Sequence, residues 1–422
     1  MPIDSPLSNS LNDWLEYIDS INSKSISLGL DRVKKVKEIC NLNPDFPVII
    51  VAGTNGKGSS CKFLESILYY AGFKVGCYTS PHLFNFNERI SINKKSISDD
   101  LIVDSIKSID SRRDNELLTY FEITTLSAMD IMIKANVDIA ILEVGLGGRH
   151  DAVNVFEPEI SLITSISLDH QDYLGNTVEE IGYEKAGVLR KNKDAIINFD
   201  APPISVLEYA KKISANVSII DTNYKINCKH KTFDYIGEEE SIVDLPYPKI
   251  HGLHQLRNIT GVLRCIELLR VNLEIKKEAI IDGLLGVNLR GRAEIISKNP
   301  FIVVDVAHNP EAALSLYNVI SKSRNKGKLR AVFSILKDKS IKDVIRLFVD
   351  IVDEWHISKI NSARAMPTIE IINAIKSYRS DALIYSSDNL HGAYMNAYEK
   401  TSLNDNIVVF GSFYTVSECL IK

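Results

Sequence analysis

The stretch Val48–Ser60 reads V-I-I-V-A-G-T-N-G-K-G-S-S and restricts the fold more than any other part of the chain. Val48–Val51 is wholly β-branched, the signature of a strand buried on both faces of a parallel sheet. Glycines at 53, 56 and 58 follow, interleaved with Thr54, Asn55 and Lys57. Leu64, Ile67, Leu68 and Ala71 then recur at helical spacing, and Gly72 can end that helix. Strand, glycine loop and helix in this order make a phosphate cradle. Amides at the helix start face an anion, and the missing side chains let it come close. Gly53, Thr54, Asn55, Gly56, Lys57, Gly58, Ser59 and Ser60 are therefore the expected nucleotide contacts. The generic phosphate-loop pattern is not fully met. Val51 stands at its first glycine, Gly58 follows the lysine, and the first hydroxyl is Ser59. A glycine-rich turn carrying a solvated lysine is the bland alternative.

At 422 residues the chain exceeds one ordinary core, so two or three domains are expected. Its 45% hydrophobic and 24% charged content is that of a globular protein. A net charge of -5 argues against nucleic-acid binding through a general basic surface. The six cysteines form no CxxC pair, and several lie in apolar runs, which suits free thiols in a reducing compartment. The opening M-P-I-D-S-P-L-S-N-S has neither a basic nor a long apolar segment, and no apolar run reaches membrane-spanning length. The expectation is a cytoplasmic protein that does not engage membranes.

Helices are expected at Leu11–Ile21 and again through Ile39. A second strand, Val75–Thr79, ends at Ser80-Pro81-His82-Leu83. Ligand groups gather at the carboxyl ends of strands in open α/β sheets, where the Ser80 hydroxyl could serve Mg²⁺. A serine before proline is otherwise a turn residue. Asn87–Ile90 opens a small excursion. Tyr120-Phe121-Glu122 starts a helix to about Lys134, with Phe121 a substrate contact or simply core. Val137–Leu142 is a strand ending in Glu143, an acid placed to hold Mg²⁺ beside the β- and γ-phosphates, or else a surface acid capping its strand. Ile160–Ile166 leads to Leu168-Asp169-His170, and Lys185 follows in a helical pattern that would by itself put it on the surface. Ala195–Asn198 is strand-like, and Glu238-Glu239-Glu240 reads as a solvated run. Helices are expected up to Leu269 and over Lys276–Leu285, with a hinge at Gly286–Arg292. Strands at Phe301–Asp305, Leu329–Ile335, Glu354–Ser358, Leu383–Tyr385 and Ile407–Phe410 then alternate with helical patterns, which predicts a second sheet.

Further strings carry a resemblance: L-G-L-D-R-V from Leu28, T-Y-F-E from Thr119, E-V-G-L-G-G-R-H-D-A-V-N from Glu143, I-T-S-I-S-L-D-H-Q-D-Y-L-G from Ile163, E-K-A-G from Glu184, H-Q-L-R-N from His254, L-R-G-R from Leu289, D-V-A-H-N-P from Asp305 and G-S-F-Y-T-V from Gly411. Together with G-T-N-G-K-G-S, and in this order, they resemble the folylpolyglutamate synthase/dihydrofolate synthase family, bifunctional bacterial type, of the Mur ligase superfamily. The resemblance implies an α/β fold: a P-loop-type mononucleotide-binding domain with a mostly parallel sheet (1–286, ATP-binding), and a smaller Rossmann-like domain (287–422, glutamate ligase).

It also implies an ATP-dependent amide ligase working through an acyl phosphate. The substrates would be dihydropteroate, folates, L-glutamate and ATP, and the enzyme a monomer. Ser80, Glu143, His170 and a carbamylated Lys185 would hold two Mg²⁺ ions, and a monovalent cation can accompany them. A carbamate would turn the Lys185 cation into the anionic oxygen donor that Mg²⁺ prefers. Lys57, His170 and Lys185 take the catalytic roles. Asn258, Arg292, Asp305 and His308 join the nucleotide site, where the arginine fork suits phosphate. Leu28, Gly29, Leu30, Arg32, Pro81, Phe121, Asp151 and Ala152 fall to the pterin-bearing substrate. Three positions depart from the family pattern: Val153 costs a hydroxyl near the substrate, Arg290 replaces a turn-stiffening proline, and Tyr414 replaces a histidine. Neighbouring alternatives are a folylpolyglutamate synthase alone and a Mur-type cell-wall amino-acid ligase.

Overall fold

A computed structural model describes residues 6, 8–22, 29–271 and 273–420, so Leu28 lies outside the described residues. The chain forms two compact units. One takes the residues up to Pro248 together with Arg257–Val287; the other takes Lys249–Leu256 and the chain from Asn288.

The first unit is built on eight strands: β1 Val48–Ala52, β2 Val75–Tyr78, β3 Ile90–Ile92, β4 Lys95–Ser96, β5 Ile139–Glu143, β6 Ile160–Ile163, β7 Asp194–Ile197 and β8 Asn216–Ile219. Their order is β4-β3-β2-β5-β1-β6-β7-β8. β1 lies inside this sheet with all five residues buried, as its unbroken β-branched run requires. It runs parallel to β5 and β6, with Val51 opposite Glu143 and Ala52 opposite Ile163. β2 runs parallel to β5 with Tyr78 opposite Leu142. This register brings the carboxyl ends of β2, β5, β1 and β6 side by side, so the segments that follow them share one edge. The expected excursion near Asn87 is a 3-10 turn, Phe86–Arg89, leading into the antiparallel pair β3 and β4 at the sheet margin.

A separate antiparallel sheet consists of β9 Lys225–Cys228, β10 Thr232–Ile236 and β11 Ser241–Pro246. Its β10–β11 turn contains the acidic run, which is not simply solvated. Arg264 pairs with Glu238, Arg270 pairs with Glu240, and the buried Glu267 carboxylate accepts the amides of Glu239 and Glu240.

Among the described residues the second unit has six strands: β12 Glu294–Lys298, β13 Phe301–Asp305, β14 Leu329–Phe333, β15 Glu354–Ile357, β16 Leu383–Ser386 and β17 Asn406–Phe410. The order is β12-β13-β17-β14-β15-β16, parallel except for the antiparallel β12 at one margin. Its core packs Trp355, Phe333, Phe348 and Phe410 against apolar helix faces. Among the described residues no helix is long and apolar enough to cross a membrane.

Candidate active site

The loop after β1 needs glycine at two places. Gly53 has φ +146°, and a Cβ there would stand 2.0 Å from Thr164 Oγ1; Gly56 has φ +86°, and its Cβ would stand 2.2 Å from Asn258 Oδ1. Both conformations and both approaches exclude a side chain. Gly56 caps the helix Lys57–Tyr70, whose first amides have no acceptor within the helix. Residues after β6 fix the loop's shape. Thr54 N–H donates to the Ser165 carbonyl (2.8 Å), Asn55 N–H to Ser165 Oγ (3.0 Å), and Thr164 Oγ1 to the Asn55 carbonyl (2.6 Å). Ser167 N–H donates to Thr54 Oγ1 (3.0 Å). Thr164, Ser165 and Ser167 received no site role from the sequence, because their partners lie about a hundred residues earlier in the chain. Ser59 and Ser60 are buried. The Ser60 amide is spent inside the helix on the Gly56 carbonyl (2.9 Å).

Two lysines meet on one oxygen of this loop. Lys57 Nζ donates to the carbonyls of Gly53 (3.0 Å) and Thr54 (3.2 Å). Lys185 Nζ, from the helix Val178–Ala186, donates to the same Gly53 carbonyl at 3.0 Å. Lys185 is thus no surface lysine: its residue is 4% exposed. Burial, followed by the Lys57 charge, brings its pKa down to about 7 against the pull of Asp169 and Asp151. A neutral amine, the form that can react with carbon dioxide, is therefore accessible near neutral pH.

Glu143 is equally far from being a surface acid. It is 4% exposed, accepts the Ser80 N–H at 3.0 Å, and lies 3.3 Å from where a Cβ on Gly58 would be. The β2–β5–β1 register thus carries Ser80, Glu143 and the loop helix to one place. Pro81, joined to Ser80 by a cis peptide, is exposed. His170 stands at φ +52° ahead of the short helix Gln171–Leu174. Its amide donates to Asp169 Oδ1 (2.8 Å), and its Nε2 is 4.0 Å from the same oxygen.

Among the described residues no three His, Cys, Asp or Glu side chains gather as a metal-binding group. The expected donors include only two of those types. Glu143 and Ser80 offer the hard oxygens Mg²⁺ takes, whereas Lys185 fits only once it carries a carboxylate.

Around the neighbouring Gly145–Arg149 turn, Asp151 spends both oxygens on the chain: Leu146 N–H donates to one (2.8 Å) and Val153 N–H to the other (3.1 Å). Burial nevertheless raises its pKa to about 7 against those amides and Lys57. Ala152 and Val153 are buried, and Val153 belongs to the apolar core, so its missing hydroxyl takes nothing from a polar surface. Phe121 is half-buried, tilted on Tyr78 at 5.9 Å, and so close to Gly145 that a Cβ there would be 2.6 Å from its ring. Arg32 is engaged by Glu122 through Nε (3.1 Å) and a second nitrogen (2.8 Å), and Glu122 in turn caps its own helix with Thr119. Gly29 has φ +120° and precedes Leu30 at the start of the helix Asp31–Ile39.

In the second unit, buried Asp305 at the end of β13 accepts the amides of Ala293 (2.6 Å) and Ala307 (2.7 Å). Burial raises its pKa, opposed first by Arg292. Arg292 lies 5.2 Å from the Phe413 ring centre. The turn before it is tied by Glu294, which accepts the Gly291 amide at 2.7 Å and faces Arg290 at 3.8 Å, so an ion pair stands where the family has proline. His308 Nδ1 contacts the Val306 carbonyl at 2.9 Å. Gly411, at φ +119°, lets the chain pass where a Cβ would be 2.0 Å from the Ser334 carbonyl. Thr415 Oγ1 bonds that carbonyl at 2.8 Å, while Tyr414 faces outward.

Residues 51–265 match the Mur ligase middle domain, and residues 291–413 match the Mur ligase glutamate ligase domain. A dihydrofolate synthase/folylpolyglutamate synthase of Haemophilus influenzae is 36% identical over 427 residues, covering 97% of this chain and 96% of the relative. The chain belongs to the dihydrofolate synthase/folylpolyglutamate synthase family of Mur ligases. Escherichia coli FolC in complex with DHPP and ADP superposes with a TM-score of 0.92 at 34% identity, covering 98% of this chain and 97% of that one. A bifunctional folylpolyglutamate synthase/dihydrofolate synthase with Mn, AMPPNP and L-glutamate bound gives 0.89 at 35% identity, covering 98% of each chain. As a member of the dihydrofolate synthase/folylpolyglutamate synthase family, the protein is an ATP-dependent ligase of folate metabolism.

Proposed function

We propose that the protein joins L-glutamate to dihydropteroate, giving dihydrofolate, and to tetrahydrofolates, giving polyglutamates, as a cytoplasmic monomer. The observation that carries this reading is the convergence of Lys57 and Lys185 on the Gly53 carbonyl, with Glu143 packed against Gly58. Residues 1–286 would take ATP and the acceptor, and 287–422 would serve glutamate ligation. The amides that open the loop helix at Lys57, Gly58 and Ser59, together with the Lys57 ammonium, hold the ATP phosphates and stabilise charge gathering on the transferred group. The acceptor carboxylate attacks the γ-phosphorus, ADP departs, and an acyl phosphate forms. The glutamate amine then attacks the acyl carbon, and phosphate leaves.

Ser80, Glu143, His170 and carbamylated Lys185 would hold two Mg²⁺ ions, which when bound supply the positive charge that lets two anions meet. A monovalent cation belongs to the same reading. Asn258, Arg292, Asp305 and His308 would complete the nucleotide contacts. Gly29, Leu30, Phe121 and Ala152 would line the pterin side, with Arg32 and Asp151 holding the surrounding chain rather than the ligand.

The test is incubation with ATP, Mg²⁺, L-glutamate and each acceptor in turn. Dihydrofolate from dihydropteroate, lengthened tetrahydrofolate, and one ADP per bond formed are expected. No ADP with either acceptor rejects the ligase, and ADP with tetrahydrofolate alone removes the dihydrofolate synthase half.

A further inference from the structure

Arg89 has no task in the phosphate site, yet it is built in with care. It ends the 3-10 turn Phe86–Arg89, and its carbonyl accepts the Thr79 N–H at 2.8 Å, which pins it beside Ser80 and Pro81. Its Nε donates to His82 Nδ1 at 2.9 Å. Its guanidinium carbon lies 5.4 Å from the Phe86 ring centre and 5.6 Å from that of Tyr120. These three contacts orient the planar group and leave its two terminal nitrogens to point elsewhere.

Arg89 is half-buried, and its side-chain partners among the described residues are His82 and the rings of Phe86 and Tyr120, none of them a carboxylate. The adjacent carboxylate, Glu88, is spent on the amides of Leu83 (2.7 Å), Phe84 (3.0 Å) and Asn85 (3.0 Å). His82 offers a lone pair to Nε and so brings no negative charge. A half-buried cation whose fork meets no carboxylate directly is costly to keep, and the cost is relieved when an anion binds the fork. A guanidinium fork held by its Nε presents two parallel donors, the geometry that suits a carboxylate. Tyr120 adjoins Phe121, and the strand register sets Ser80 next to Glu143, so the fork stands on the acceptor side of the site.

We propose that Arg89, held by His82 between Phe86 and Tyr120, binds the non-reacting carboxylate on the glutamate tail of a folate acceptor. The inference rests on the functional reading above and makes it more specific. Dihydropteroate has a single carboxylate, and that one must be activated. Tetrahydrofolate has two on its glutamate; one reacts, and the other must be neutralised elsewhere. Arg89 therefore separates the two activities, serving tail extension and not the first glutamylation.

Arg89→Met keeps the stem between the rings and removes the fork, and Arg89→Lys keeps the charge alone. For Arg89→Met the KM for tetrahydrofolate should rise about tenfold, with the KM for dihydropteroate and for L-glutamate changed less than about twofold. Arg89→Lys should recover part of the loss. Equal rises for both acceptors would mean a structural role, and a rise for L-glutamate would give the subsite to the incoming amino acid; either overturns the proposal, as does no change. Equilibrium binding of the two acceptors to the same proteins needs no turnover and keeps this test separate from the ligase reading. Selective loss of tetrahydrofolate binding supports the tail subsite whether or not ADP is formed, and unchanged selectivity defeats it.

Discussion

Gly53 and Lys185 are the two residues whose surroundings decide most about the site. Alanine at 53 would need a positive φ and would place its Cβ 2.0 Å from a hydroxyl already committed to the Asn55 carbonyl. Gly53→Ala should therefore abolish ATP binding, measured by titration with a non-hydrolysable analogue, while the fold survives by circular dichroism. Lys185 makes a different prediction. With its pKa brought down to about 7, roughly a tenth of the amine is neutral at pH 6 and roughly nine tenths at pH 8. Enzyme stripped of carbon dioxide should regain activity when carbon dioxide is restored, and at equal dissolved carbon dioxide it should do so faster at pH 8 than at pH 6. Lys185→Met should be nearly inactive and indifferent to bicarbonate. An unmodified wild-type lysine, seen by intact mass in fully active enzyme, would reject the carbamate. The helical pattern around Glu184–Gly187 gave no sign that Lys185 is buried, because the sheet edge it points into is assembled from strands distant in sequence.

At the scale of elements, the helix Lys277–Leu285 is pressed onto the phosphate-loop helix at glycine. A Cβ on Gly283 would stand 2.5 Å from Ile67 Cα, and one on Gly286 would stand 2.7 Å from the Tyr70 ring. Lys94 closes the joint, donating to Ser66 Oγ and to the Gly286 carbonyl, each at 3.0 Å, and lying 4.7 Å from the Tyr70 ring centre. Helix propensity alone says that Gly283→Ala should stabilise by about 1 kcal/mol. The obstructing atoms include backbone, which cannot move aside cheaply, so overpacking wins and the change should destabilise the first unit by about 1–3 kcal/mol in urea unfolding. Such a joint is invisible in sequence, where Gly283 reads only as a weak helix residue. The helices Leu11–Ile21 and Tyr120–Lys134 and the strand β13 were legible because each has a periodic or unbroken apolar run bounded by a cap or a turn. β9–β11 and the marginal β12 were not, since they are short, half-exposed and interrupted by charged residues, which leaves too few apolar positions to set a period. Likewise Glu143 was legible at its strand end, whereas the struts Thr164, Ser165 and Ser167 matter only through pairing with a loop about a hundred residues earlier.

Each of the two units holds one of the two tryptophans: Trp14 is buried in the first and Trp355 in the second. Two of their buried groups, Asp151 in the first and His356 in the second, pull stability in opposite directions with pH. In the second unit His356 is fully buried, with its Nε2 3.8 Å from the Glu354 carboxylate and its ring stacked on Tyr385 at 5.0 Å. Burial, then the Lys400 charge, lowers its pKa from 6.5 to about 4, and His254 is lowered to about 4 as well. Between about 4 and 6.5 the unfolded chain binds protons that the folded unit refuses, so this unit loses stability as pH falls through that window. In the first unit Asp151 is raised from 3.8 to about 7, so between those values the folded state holds the extra proton and stability falls as pH rises. Lys185, lowered from 10.5 to about 7, regains stability for the same unit only as pH climbs from 7 toward 10.5. Going from pH 7 to pH 5 should therefore raise the Asp151 contribution to the first unit, partly offset by His82, whose pKa burial also lowers from 6.5 to about 4, while His356 and His254 together lower the second unit against the raised Asp305. Trp14→Phe leaves Trp355 to report the second unit, and Trp355→Phe leaves Trp14 to report the first. The urea midpoint seen by Trp355 should drop relative to that seen by Trp14 on acidification, and His356→Phe in the Trp14→Phe background should shrink the drop. Midpoints that move together at every pH would mean that the units unfold as one, and the opposed titrations would then appear only as their sum.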